Sequence, residues 1–141
     1  MNDLWGTKEY FAPEVLNEAY GPQADVWALG CILYEMLTGL QAFNDQTKDP
    51  SRDARIKSGV YPLNSNGFDK LSNEVKDLIS KMLETNPSKR MSASECLTHP
   101  WIKGMEWNQA PLTFAHENLK KKLEDRRRRE EERKARRKLR S

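Results

Sequence analysis

Cysteine and histidine are scarce in this 141-residue chain, with two of each. Two cysteines are too few for a disulfide framework, and zinc-type spacing cannot be assembled without more Cys and His. Cys31 and Cys96 both sit in apolar helical contexts, which points to reducing, intracellular surroundings, cytoplasmic or nuclear. No apolar run approaches the ~18 residues of a membrane span, and the opening MNDLWG lacks the charged-then-apolar order of a secretion signal. The seven glycines never fall as G-x-G, so glycine-rich phosphate-binding loops of that form are excluded. No D-x-[DN]-x-[DN]-G loop occurs either, which leaves calcium regulation without support in this chain. No convincing pair of strands and no internal repeat is visible, and the class expected is mainly α.

What is abundant is charge, unevenly placed. Residues 117–141 hold 13 Lys and Arg against 6 Asp and Glu, a balance of +7, so the whole-chain charge of +3 leaves −4 for the remainder. If the charged end stays outside the core, about 110 residues remain to pack, enough for one domain.

The most apolar stretch is QADVWALGCILYEMLT, residues 23–38. Val26, Leu29, Leu33, Met36 and Leu37 form one stripe, and Trp27, Cys31 and Tyr34 another. Such a helix is expected to be buried nearly all round. Gly39 follows as a left-handed stop, and Asp25 lies in the first turn, where a carboxylate can accept backbone N–H bonds. Polar residues 50–58 predict a short surface helix, followed by a loop over 59–68. Val75, Leu78, Ile79, Met82 and Leu83 recur at helical spacing behind Ser72, an amphipathic helix with a serine cap. Ser92 and Glu95 form a capping box for a further helix that stops near His99, ahead of Pro100, after which Trp101 and Ile102 return to the core.

From Thr113 onward the chain turns to charge, with Leu119 and Leu123 as its last regular apolar pair. Glu124 with Arg128, Asp125 with Arg129, Glu130 with Lys134 and Glu132 with Arg136 stand at i,i+4, each giving ~0.2–0.5 kcal/mol to a solvated helix. Three readings of this tail stay open: a solvated helix or disordered tail, a nuclear-localisation segment, or a nucleic-acid contact region. Interleaved Glu, and no aromatic residue after Phe114, argue against a dedicated nucleic-acid surface.

Three linked motifs carry a resemblance. GTKEYFAPEV with Ala12-Pro13-Glu14, then DVWALGCILYEMLTG, then NPSKRMSASECLTHPW resemble the protein kinase family in the family's own order and spacing. The match covers roughly the first 105 residues. Asp3, the G-T step and the HPW ending are similar to the calcium/calmodulin-dependent branch of Ser/Thr kinases, whereas Lys8 and Gln41-Ala42-Phe43 depart from its commonest pattern. The resemblance implies the large, C-terminal lobe from the APE motif onward. It divides the chain into a partial kinase domain (1–105), a linker (106–116) and a charged helical or disordered tail (117–141).

The same resemblance assigns roles. Thr7 would support the catalytic loop, with a simple turn threonine as the alternative. Lys8, Glu9 and Tyr10 would belong to the peptide-substrate platform. Glu14 would pair with Arg90, and Asp25 would anchor the catalytic loop from the head of the central helix. Glu35 would contact a basic residue upstream of the phosphoacceptor, with a solvated helix end as the alternative.

A working kinase also needs a glycine-rich loop, a strand lysine, an H-R-D loop with its Asn, and D-F-G for magnesium. None is present: Arg52-Asp53 is preceded by Ser51 and has Ser58 where the Asn belongs. Those parts would precede Gly6, so the chain reads as the C-terminal part of a kinase domain. On this reading ATP and Mg serve the parent enzyme, the chain alone binds neither, no residue here is catalytic and no metal is held. The partner is a protein or peptide substrate with basic residues, not a membrane. A non-catalytic, pseudokinase-type interaction module is the alternative. Loss of upstream neighbours predicts an exposed apolar patch near Trp27 and Tyr34.

Overall fold

Pro22 at its first position and Gly39 just past its last bracket the central helix, α1 (Pro22–Thr38). Proline's fixed φ suits a helix start, and Gly39 takes φ 73°, a left-handed stop that returns its N–H to the Glu35 carbonyl at 2.7 Å. The computed structural model describes residues 8–44, 50–64, 67–104 and 113–139. Its other α-helices are α2 (Arg52–Ser58), α3 (Asn73–Met82), α4 (Ala93–Thr98), α5 (Pro100–Lys103) and α6 (Thr113–Lys138), with 3₁₀ turns at Lys8–Tyr10, Val15–Asn17 and Phe68–Lys70. No strand occurs among the described residues. None of these helices is long and apolar enough to cross a membrane.

The local signals place the ends as expected. Ser51 caps α2, Ser72 caps α3, and Ser92 with Glu95 forms both halves of a capping box on α4. His99 is extended ahead of Pro100, which ends α4 and opens α5 at once. The Trp101 N–H donates to His99 Nδ1 at 3.1 Å, so Nε2 carries the proton and donates to Asp77 Oδ2 at 2.7 Å. That bond ties the end of α4 to the exposed side of α3. The helix read at 113 begins inside the stretch assigned to the linker; residues 105–112 lie outside the described set.

Aromatic rings organise the core around α1. Trp27 stacks on Phe43 with centroids 5.3 Å apart, and Tyr34 meets Phe68 at 5.3 Å and Tyr61 at 5.6 Å. Tyr34 also donates its hydroxyl to the Pro62 carbonyl at 2.8 Å, and burial pushes its phenol up to about 12. On the next face of α1, α3 approaches so closely that a Cβ on Gly30 would lie 2.9 Å from Met82 Cβ. A bulkier residue there would force the two helices apart.

Two expectations about α1 fail. Trp27 and Tyr34 are fully buried, not part of an exposed patch, because Phe43, Tyr61 and Phe68 cover them. The helix is also not enclosed all round: Leu29, Ile32 and Met36 are 52, 42 and 54% exposed. These three recur at i, i+3 and i+7 and form one unfilled stripe. A helix that is apolar on every face does not reveal from sequence alone which side its neighbours leave bare.

The tail also differs from its expected pairing. None of the four i,i+4 pairs forms; Arg128 instead takes Asp125 at i,i+3, 2.9 Å away. Exposed pairs of this kind stabilise little, which lets the side chains follow their rotamers.

Candidate functional site

The first turn, Lys8–Tyr10, lies beside the second half of α1 and brings Tyr10 to Glu35. The Tyr10 hydroxyl donates to Glu35 Oε2 at 2.6 Å, and Lys122 from α6 donates to Glu35 Oε1. Burial, and then the anionic Glu35 beside the hydroxyl, push the Tyr10 phenol above its ordinary value. One carboxylate thus holds a neutral donor on one oxygen and a cation on the other. Glu35 is not a solvated helix end: its side chain is only 18% exposed.

Around that carboxylate is a cleft of about 400 Å³. Ile32 and Met36 of α1 face Leu119 and Leu123 of α6 across it, while Tyr10, Glu35, Lys122 and Arg126 supply the polar rim. Close approach of α6 relies on Gly39, since a Cβ there would lie 3.0 Å from Asn118 Cβ. Glu9 turns the other way and meets Arg52 of α2 at 3.4 Å. Lys8 is exposed and Thr7 lies outside the described residues.

Behind the platform, Glu14 and Arg90 form a forked pair, with Nη1–Oε1 at 2.6 Å and Nη2–Oε2 at 3.0 Å. Arg90 further donates from Nε to the Glu84 carbonyl at 2.8 Å and from Nη1 to the Gln23 carbonyl at 2.7 Å. Its guanidinium lies over the Trp27 ring, 5.1 Å from the centroid. One side chain therefore joins the turn after Tyr10, the start of α1 and the loop after α3. Burial acts to raise the Glu14 carboxyl, but the Arg90 hydrogen bonds, a backbone hydrogen bond and the Arg90 charge together outweigh it and hold the group below its ordinary value.

Asp25 is exposed in the first turn of α1 and makes no hydrogen bond among the described residues, so it does not cap its own helix. Cys31, buried in the core, has its thiol pushed up to about 12, chiefly by burial, and is no nucleophile. Among the described residues no three His, Cys, Asp or Glu gather to hold a metal ion.

Sequence reasoning missed the ligands of Glu35. Tyr10 stands 25 residues from it and Lys122 stands 87 residues away. The one available signal was the pair Leu119 and Leu123, whose spacing marks the side of α6 that can pack, with Lys122 next to it.

Residues 1–102 match the protein kinase domain family. Calcium-dependent protein kinase 25 of Arabidopsis thaliana is 42% identical over 103 residues, 73% of this chain and 20% of that protein. Calcium-dependent protein kinase 7 of Oryza sativa subsp. japonica is 44% identical over 112 residues, 78% of this chain and 20% of that protein. Calcium-dependent protein kinase 24 of Arabidopsis thaliana is 36% identical over 124 residues, 88% of this chain and 21% of its own length. The chain thus spans about a fifth of the length of these curated relatives.

Proposed function

The chain belongs to the protein kinase family, and from that premise we propose that it is the peptide-binding half of a Ser/Thr kinase large lobe. Phosphoryl transfer from ATP with magnesium, the chemistry of the family, is then carried by residues outside this chain. The reading for this chain concerns peptide binding.

The observation that supports it most is the lysine held by Glu35. A partly buried carboxylate, oriented by the Tyr10 hydroxyl and already bonded to a cation, has the chemistry to take an arginine or lysine upstream of a phosphoacceptor. Lys8, Glu9 and Tyr10 would form the adjoining surface, with Thr7 supporting the catalytic loop. Asp25, exposed and unbonded, would accept backbone N–H groups of that loop from the head of α1. Glu14 and Arg90 would have a structural role, fixing the platform to the core.

On this reading Lys122 competes with the substrate for Glu35. The pair is partly exposed, with Lys122 at 42%, and such pairs contribute up to about 1 kcal/mol. Lys122→Ala is therefore expected to tighten binding of a fluorescent, arginine-bearing serine peptide about two- to fivefold in an anisotropy titration. Weaker binding would mean that Lys122 helps form the peptide surface, and no binding by either protein would remove the reading.

A further inference from the structure

The acids and bases of α6 alternate in blocks along the sequence, yet the helix separates them in space. At about 100° per residue, Lys122, Arg126, Arg129, Arg133, Arg136 and Arg137 fall within one arc of about 140° that contains no acid. Asp125 borders the arc on one side and Glu130 on the other, and Glu117, Glu124, Glu131 and Glu132 lie beyond. Arginine dominates inside it, whereas Lys120, Lys121, Lys134 and Lys138 lie outside.

Lys122 is bonded to Glu35 and Arg128 to Asp125, but none of Arg126, Arg129, Arg133, Arg136 and Arg137 makes an ion pair among the described residues. All five are exposed, and Arg126, Arg129 and Arg133 border an open cleft of about 670 Å³ against Gly39 and Leu40. Five planar, always-charged forks in a row, unpaired among the described residues, present a surface for phosphate oxygens.

We propose that this arginine row is a docking surface for the backbone of a single-stranded nucleic acid. From Arg126 to Arg136 the row advances in steps of about 4.5 and 6 Å, with Arg137 adjoining its end, a line of charge rather than a field. Its acidic borders repel an anionic plane or the second wall of a groove, while a single strand can follow the line between them. No aromatic residue is available for base stacking in the tail, so contact is to phosphates and is independent of sequence. The inference does not rest on the kinase reading: of the five arginines only Arg126 borders the Glu35 cleft, and the four replaced in the test below lie outside it.

The test is anisotropy of a labelled oligouridylate with the full chain across a salt series. Five phosphate contacts give a slope of log K against log salt of about −3.5. The variant Arg129→Gln/Arg133→Gln/Arg136→Gln/Arg137→Gln should lose at least about tenfold in affinity at low salt and flatten the slope to about −0.7. A control that removes four charges outside the row, Lys120→Gln/Lys121→Gln/Arg127→Gln/Lys134→Gln, should lose less than about threefold. Glutamine is a good helix former, and circular dichroism checks that both variants keep their helix. The proposal is overturned by equal losses in the two variants, or by a wild-type slope shallower than about −2, whatever the variants do. It is also overturned by polyglutamate competing as well as the oligouridylate at matched charge, by tighter binding to phosphatidylserine vesicles, or by no binding at low salt.

Discussion

Arg90→Ala is expected to lower folding stability by about 3–5 kcal/mol, read as a fall in the urea midpoint with unchanged slope. The size follows from what the side chain leaves behind. The Arg90 side chain is wholly buried, and the carboxylate it serves, Glu14, is 14% exposed. Removal strands that carboxylate and the carbonyls of Gln23 and Glu84, and strips the cation from the face of Trp27. Arg90→Lys should recover little, because an ammonium cannot make two parallel bonds to Glu14 while also reaching two carbonyls. Arg128→Ala, which breaks the exposed contact with Asp125 at 2.9 Å, should cost no more than about 1 kcal/mol. An Arg90→Ala loss as small as that would mean the forked pair contributes no more than a surface contact.

The same pair has a pH signature. Glu14 titrates below its ordinary 4.5 when folded, so its contribution is complete above about that pH and is lost as the pH falls through the lowered value. Asp77 is lowered too, first by Lys81 and then by His99, and so the acid limb of the wild-type chain is shared. The difference between the chain and Glu14→Gln isolates Glu14: it should shrink steadily below pH 4.5. A difference independent of pH would contradict an ionised Glu14 in the folded state.

Trp27→Ala is expected to cost a comparable 3–5 kcal/mol, roughly the range for a buried ring deleted from a core. Trp27 is fully buried between the Phe43 ring and the Arg90 guanidinium, so the substitution opens a cavity and unseats both neighbours. Its indole N–H meets no hydrogen-bond acceptor among the described residues. Trp27→Phe should therefore cost less than half as much as alanine, since it shrinks the ring without losing a strong hydrogen bond. Equal losses in the two variants would show that the indole N–H carries the energy.

What could be read in the sequence was what the chain decides locally. Ser72, Ser92 with Glu95, and Gly39 mark helix ends because their partners lie within four residues. The Glu14 and Arg90 pair spans 76 residues, and only the order of the kinase motifs brought those two positions together on the page. The exposed stripe of Leu29, Ile32 and Met36 was hidden because α1 is apolar on every side. The arginine row was hidden for a different reason: blocks such as RRRREEE look mixed when read along the chain and separate only when wound at 100° per residue.

Everything proposed for the function of this chain meets at Glu35. The measurement that bears on it most directly is a calorimetric titration of an arginine-bearing serine peptide into the chain and into Glu35→Gln. A hydrogen bond between charged groups contributes about 1.5–3 kcal/mol, so the variant should bind about ten- to a hundredfold more weakly. A peptide with alanine in place of arginine should not distinguish the two proteins. Equal affinity of the arginine peptide for both proteins would contradict the account.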